Sequence, residues 1–555
     1  MENLTRRGPA ALATLTLAVG ALAVGGGAAV ASPSPASAQV AATPAAPAPL
    51  TNLAHLDFLL DTTSPAEVEG HTTYRLAEEP ELTMPWTYAD ARDGGTFERI
   101  GGGTLDPATG DYTQGAYNSD DVSRAAVVYL RDWQQTGSES SRDTAYELLR
   151  GLAYYQTTTG PNAGNVVLWM QQSGELNPSA EPVELPDPSD SAESYWLART
   201  IWAFGEGYAA FADGAGAGAS EEDAAFAAFL GERLDLAIEA VDRQVLDDYG
   251  TYEKSDGVKV PAWLIVDGAD ASSEAVLGLA AYVDAKPDAA AARTALDQLS
   301  EGIAAMSAGS GRSWPYDAIL PWARSTSIWH AWASQMPAAL AAASRTLGDK
   351  ALVKPAVAEA TTLAPLMLAS GGPDNAWYPT PIETTQIAYG ADSRLQSWLA
   401  VGDATRSDGI RQLAAVEAAW YFGSNRAGEP MYDPATGVTF DGLQADGTIN
   451  RNSGAESTIH GLLSMIALDA HPAISARAQA VTEVVTRDGL TVVEAEDATA
   501  TSGDVVEPES AWTGESQYGG GAYLQLTRRD TAAFEIGRHA RDRWIEPVIW
   551  YEPGA

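Results

Sequence analysis

The sequence predicts a mainly α-helical protein whose central part is an (α/α)6 toroid, a ring of six helical hairpins. Three observations predict it. From Asp120 to about Arg487 the chain runs through long Ala/Leu-rich segments with helical spacing of their apolar residues. These segments come in pairs, with short joints such as 135–141 and 213–219 inside a pair and longer Gly-, Pro- and Trp-rich loops between pairs. First members, such as those containing 127–130 and 462–466, are apolar on more than one face, whereas second members such as 221–243 carry more charge. Six hairpins with buried first helices point to a closed ring; a bundle or a solenoid is the competing arrangement.

The twelve helices are expected to start near Asp121 and Arg142, Ser191 and Ser220, Ala269 and Ala289, Ser325 and Ala351, Glu383 and Ser407, and Ala455 and Pro472. Ahead of them, Arg6 and Arg7 precede an apolar run to about Val30, and small residues follow at Ala29, Ala31, Ala36 and Ala38. A basic start, an apolar stretch and a small-residue exit describe a secretory leader over 1–38, so the mature protein is expected outside the cell. No later segment supplies the ~18–20 uninterrupted apolar residues of a membrane span. Residues 39–52 are an Ala/Pro-rich linker. Residues 53–119 read as a lead-in of loops and short strands, and 120–488 as the toroid. The final part, 489–555, has β-type runs at 490–496, 522–526, 532–536 and 544–551. It falls short of the ~100 residues of a complete β-sandwich and reads as the first half of one.

Composition narrows the chemistry. The 555 residues include 16 Trp and 21 Tyr but no Cys, which excludes disulfides, thiolate metal sites and a cysteine nucleophile. With 33 Lys+Arg against 74 Asp+Glu the net charge is −41, which argues against nucleic acid as a partner. The same excess of acid also serves solubility.

Polar residues gather at the expected starts of the first helices: Asp120 and Asp121; Glu193; Asp267, Asp270 and Glu274; Trp322 and Arg324; Glu383 and Gln386; Asn450, Asn452 and Glu456. In a toroid these ends converge on one face. The preceding loops add Tyr117, Trp263, Trp314, Tyr316, Trp377, Tyr378 and Phe440. Aromatic faces stack on sugar rings while carboxylates and amides bond hydroxyls, so the combination suits a carbohydrate ligand. Acids and amides at helix starts also serve as caps and dipole partners, and Asp120 is open to that reading.

Two clusters stand out. In the stretch 117–124, adjacent acids Asp120 and Asp121 stand one turn before Arg124; paired carboxylates split roles when one pKa is raised. In the stretch 450–458, Asn450, Asn452 and Glu456 flank the small Gly454–Ala455 step. Glycoside hydrolysis needs two carboxyl groups across the scissile bond. Asp120 or Asp121 from the first hairpin and Glu456 from the sixth would be neighbours where the ring closes. The six His show no metal-ligand spacing, and Ser453 lies in no nucleophile elbow. No cofactor is implied. Asp433, Asp441 and Asp446 offer a structural Ca²⁺ site without EF-hand order.

Residues from about His55 to Arg487 resemble a group of bacterial proteins within the six-hairpin glycosidase superfamily, and are similar to (α/α)6 domains associated with sugar transferases and glycoside phosphorylases. The stretches that carry this are 120–125 (a D-D-x-A-R-A pattern, with Ser123 where Ala is commoner), 198–203, 320–322, 329–332, 386–390, and 431–458 with its N-x-G-A-E-S-T ending. The resemblance implies the toroid and a carbohydrate-active protein, within a superfamily of hydrolases, lyases, epimerases and phosphorylases. Residues 493–523 resemble the opening of a carbohydrate-binding β-sandwich module whose Glu494 and Glu496 would belong to a Ca²⁺ site.

The expectation is therefore a secreted glycoside hydrolase. Glu456, Asp121, Asp120 and Glu193 are the catalytic candidates. Arg124, Asn450, Asn452, Trp322, Trp314, Tyr389, Gln386 and His330 are the candidates for sugar binding. A non-catalytic glycan-binding protein and a polysaccharide lyase are the alternatives.

Overall fold

The computed structural model describes residues 48–181, 185–255, 257–481, 483–487, 489–509, 518–539 and 542–550. The leader and most of the linker lie outside the described residues. After a short α1 (Ala54–Leu59), the described residues contain the expected hairpins. They are α2 (Ser119–Thr136) with α3 (Glu139–Tyr155), α4 (Tyr195–Asp213) with α5 (Glu221–Gln244), and α6 (Ala269–Ala285) with α7 (Ala290–Ala305). The fourth is α8 (Met336–Leu347) with α9 (Val353–Thr361) and α10 (Leu363–Ser370). The last two are α11 (Ala388–Thr405) with α12 (Asp408–Ala418), and α13 (Ala455–Ala470) with α14 (Pro472–Ala480).

Local chemistry sets the boundaries. Side chains of Asn118, Ser138, Ser194 and Ser407 accept the first free N–H groups of α2, α3, α4 and α12, and Ser220 with Asp223 forms a capping box on α5. Gly137 ends α2 with φ 73°, a left-handed position that glycine adopts without steric cost.

The first helices form the inner wall. In the order α2, α4, α6, α8, α11, α13 each packs on the next, and α13 packs back on α2, which closes the ring. Outer helices α3, α5, α7, α9, α12 and α14 each pack on the inner partner of their own hairpin. The fold is an (α/α)6 toroid, as expected. Its tightest inner contact is between α4 and α6. A Cβ on Gly205 would stand 2.1 Å from the Gly278 carbonyl oxygen, and one on Gly278 would stand 2.3 Å from the Ile201 carbonyl oxygen. Backbone meets backbone here, so no side chain can give way. Gly278→Ala is expected to destabilise the protein by about 3 kcal/mol, read as a lower melting temperature, while an alanine at the open Gly348 turn serves as a control for strain alone.

Two inner helices start later than the sequence suggests. The expected start at Ser325 moves to Met336 and that at Glu383 to Ala388, because Trp329–His330, Ala376–Trp377 and Pro381–Glu383 pair as a three-stranded sheet. Pro337 then occupies the first turn of α8, where its missing N–H costs nothing. The helix expected from Ala351 breaks at Thr362. Pro365 cannot donate to the Thr361 carbonyl, and the Thr362 hydroxyl bonds the carbonyl oxygens of Ala358 and Tyr316, both at 2.5 Å.

The lead-in contributes a hairpin, Tyr88–Arg92 with Thr96–Ile100, that lies over the ring closure. Its backbone is stitched to the entry of α13: Ser453 N donates to the Ala89 carbonyl (3.1 Å) and Ala455 N to that of Thr87 (3.0 Å). Gly454 permits this approach, since a Cβ there would lie 2.9 Å from the Thr87 oxygen.

Beyond the toroid, Ala500–Thr501 pairs with Ala532–Ala533, and Asp504–Val506 with Tyr523–Gln525. The runs expected at 490–496 and 544–550 are not strands, and residue 551 lies outside the described residues. Among the described residues no helix is long and apolar enough to cross a membrane.

Candidate active site

The sequence places ionisable groups near the starts of the inner helices, and the fold brings them together. Arg124 (α2) and Arg199 (α4) are buried, as are Glu274 (α6), Tyr389 and Asp392 (α11), and His460 (α13). Each stands within the first two turns of its helix, so the N-terminal ends of five of the six inner helices meet; α8 contributes no side chain to the cluster. Ionisable groups so deep are retained only with partners.

Arg124 is the hub. It donates from one terminal nitrogen to Asp121 Oδ1 (2.9 Å) and from the other to Glu456 Oε2 (3.4 Å), while its Nε reaches the Asp120 carbonyl (3.2 Å). Its Cζ lies 5.1 Å from the Tyr389 ring centroid. One guanidinium thus holds two carboxyl groups that are unlike in setting. The Asp121 side chain is buried, with Oδ2 accepting from Asn118 Nδ2 at 2.9 Å. The Glu456 side chain is 49% exposed. Burial pushes the Asp121 carboxyl up to about 7; Arg124 pulls the other way, and Glu456 and Asp120 add to the rise.

Arg199 builds the second half. It pairs with Asp120 Oδ2 at 2.7 Å and with Glu274 Oε2 at 2.9 Å, and it donates to the Tyr389 hydroxyl at 3.2 Å. The Tyr389 hydroxyl donates in turn to Glu274 Oε1. Burial raises the Glu274 carboxyl, against the pull of Arg199 and Arg124. Asp120 keeps one oxygen, Oδ1, without a hydrogen-bond partner although solvent does not reach it.

Above this floor stand groups of the rim. Tyr88, on the lead-in hairpin, is 46% exposed. Its hydroxyl, desolvated in the mouth and facing Asp121, Glu456 and Asp441, is pushed up to about 12. Trp322 is 38% exposed and follows α6's entry through a bridge to Gly268. Glu193 stands before α4; burial raises its carboxyl and Asp267 adds to the rise. It makes no bond to either arginine.

Of the other expected residues, Tyr389 belongs to the floor. His330 stacks on Trp332 (3.7 Å, 11°) with Nε2 3.4 Å from Asp270, at the α4–α6–α8 side. Three have other tasks. Gln386 is fully buried and bonds Asp374, Gly371 and Trp420, so it is a core amide and not a wall of the funnel. Asn452 accepts from Ala91 N and donates to Asp90, which fastens the hairpin. Trp314 donates to the Ser327 carbonyl at 2.7 Å and packs on Tyr316. Asn450 is exposed and accepts from Asn452 N.

The acids considered for Ca²⁺ do not converge. Asp433 bonds its own turn, Asp446 bonds Thr448 N, and Asp441 caps α13 through Gly454 N (2.9 Å) and the Ser457 hydroxyl (2.6 Å). No cluster of three metal-ligating side chains occurs among the described residues. Arg199 and His460 are not among the polar residues that the sequence places at the converging helix starts, whereas Glu274 is. The signal of Arg199 and His460 was present, since each is an ionisable group flanked by apolar residues inside its helix.

No protein-family model and no curated protein matches the chain. Solved structures do. A sugar epimerase from a ruminal bacterium shares 14% identity over 70% of this chain and 92% of its own, with a TM-score of 0.47. The cellobiose 2-epimerase of Bacillus thermoamylovorans shares 12% over 65% and 94%, at 0.45. An α-1,6-mannanase of Salegentibacter sp. shares 12% over 66% and 90%, at 0.40. The chain has the six-hairpin (α/α)6 fold. The closed ring of inner helices, α13 back on α2, establishes it.

Proposed function

We propose that the protein is a carbohydrate-active enzyme, and specifically a glycoside hydrolase. The observation that carries this reading is the Arg124 fork, which sets a buried carboxyl that keeps its proton near neutrality beside a half-exposed one. Groups of the same type in unlike settings are what an acid and a base need. Asp121 is the proton donor to the leaving oxygen, and Glu456 is the partner that activates water or attacks the anomeric carbon. Asp120, whose side chain is 18% exposed beside Arg199, receives a sugar hydroxyl, and Tyr88 and Trp322 supply the rings against which a pyranose stacks. The leader-like residues 1–38 support action outside the cell.

The test is incubation of the mature chain and of Glu456→Gln with a glycan panel that includes α-1,6-mannan, followed by reducing-end release and product analysis. Release by the parent and at least ~10²-fold less by the variant supports the hydrolase. Ligand-dependent melting shifts in both proteins without release would make this a binding protein. An unsaturated product absorbing in the ultraviolet would make it a lyase, and a rearranged sugar without new reducing ends an epimerase.

A further inference from the structure

A further buried group stands behind Arg124, which holds the carboxyl pair. His460, on α13 one turn below Glu456, is entirely buried. Its Nε2 lies 3.1 Å from an Arg124 terminal nitrogen and its Nδ1 lies 2.9 Å from Asp392 Oδ2. A guanidinium only donates, so Nε2 must be the bare acceptor nitrogen. The carboxylate accepts, so Nδ1 carries the hydrogen. Asp392 is itself fixed: its Oδ1 accepts from the Ser464 hydroxyl (2.8 Å) and from Gln396 Nε2 (3.0 Å). The imidazole plane is held by Tyr389, stacked at 3.7 Å and 18°. The charged and titratable groups around the ring are therefore Arg124 and Asp121 of α2, Asp392 and Tyr389 of α11, and Glu456 of its own helix.

We propose that His460, locked by Asp392 in the Nδ1–H tautomer, is a positioning residue that steers Arg124 and thereby sets the fork that holds Asp121 and Glu456. The imidazole touches neither carboxyl group, and it acts through the guanidinium alone. A protonated ring would present N–H to N–H and release Arg124. Burial, which lowers the pKa of His460, keeps the ring neutral as the fork requires, while Asp392 opposes the shift. The kinetic consequence rests on the hydrolase reading; the structural one does not.

Two substitutions divide the ring. His460→Gln places an amide oxygen near the Nε2 position and keeps an acceptor for Arg124. His460→Asn keeps a donor toward Asp392 but does not reach Arg124. Nitrogen NMR of histidine-labelled parent, which has only six His to assign, reads the tautomer directly. Carbon NMR of aspartate-labelled protein reads Asp121, identified by its loss in Asp121→Asn. The expected results are a bare Nε2 in the parent, and an Asp121 titration that moves to higher pH in the Asn variant but not in the Gln variant. On a cleaved glycan, kcat is expected to fall roughly 10²-fold in the Asn variant with KM little changed, and to stay near the parent value in the Gln variant. A protonated or Nε2–H parent ring overturns the proposal, as does an Asp121 titration that is equal in all three proteins. If the parent cleaves no glycan, the hydrolase reading fails and the two NMR readings still decide this one.

Discussion

Asp121→Asn is expected to lower glycan turnover by about 10²–10⁴-fold, the usual worth of a positioned proton donor. In the parent, turnover should hold below about pH 7 and fall as pH rises through that value, because Asp121 loses its proton there. The variant should show the residual rate without that fall. Stability supplies an independent sign. The folded carboxyl holds its proton to higher pH than the unfolded one, so its contribution is greatest below the unfolded pKa, near 4, and is lost as pH rises toward about 7. Asparagine has no proton to lose. The stability gap between parent and variant should therefore shift in the variant's favour from pH 4 to pH 7, measured by denaturant unfolding at each pH. A parent whose turnover is flat from pH 5 to pH 9 would remove Asp121 from the donor role.

Arg199→Met is expected to cost about 3–5 kcal/mol at pH 7, the range seen when one partner of a buried ion pair is removed. Methionine fills much of the volume but leaves Glu274 fully buried and Asp120 without its 2.7 Å partner. Glu274 would then keep a proton to still higher pH than it does beside Arg199. Because the folded variant binds that proton more tightly than the unfolded chain, its stability rises as pH falls, and the deficit should shrink at pH 5. The double variant Arg199→Met, Glu274→Gln should recover part of the loss at pH 7. Melting curves of the three proteins at pH 5 and pH 7 check both statements.

Much of this architecture was legible from periodicity. Helices with strong apolar spacing and a side-chain cap, such as α3, α5 and α12, begin within a few residues of the expected starts. Where the expectation failed, pairing partners far along the chain decided the outcome. Trp329 and His330 look like the start of a helix until Ala376 and Trp377 are placed beside them, and spacing within one segment carries no information about such a partner. The site shows the same division. Asp120, Asp121, Arg124 and Glu456 were readable because acids cluster at two helix entries. Gln386 and Asn452 were read as sugar ligands from their type and their place at expected helix starts, and their bonds to Asp374 and Asp90 were invisible. Arg199 and His460 carried a usable signal, a single charge in an apolar run, but their joint role depends on which helices face each other across the ring.

The closure of that ring has a consequence for how the protein is made. Arg124 and Glu456 are 332 positions apart, and the hairpin beginning at Tyr88 is stitched to the entry of α13. A nascent chain with five hairpins complete has Asp121 and Arg124 in place but lacks the opposite carboxyl, the His460 support and the seam that joins the first and last turns of the toroid. Contacts so distant in sequence form late, because the entropy of closing so long a loop must be met before they contribute. The two carboxyl groups on Arg124 thus come together only when α13 has been made, and a chain cut short before α13 would lack Glu456 and the seam.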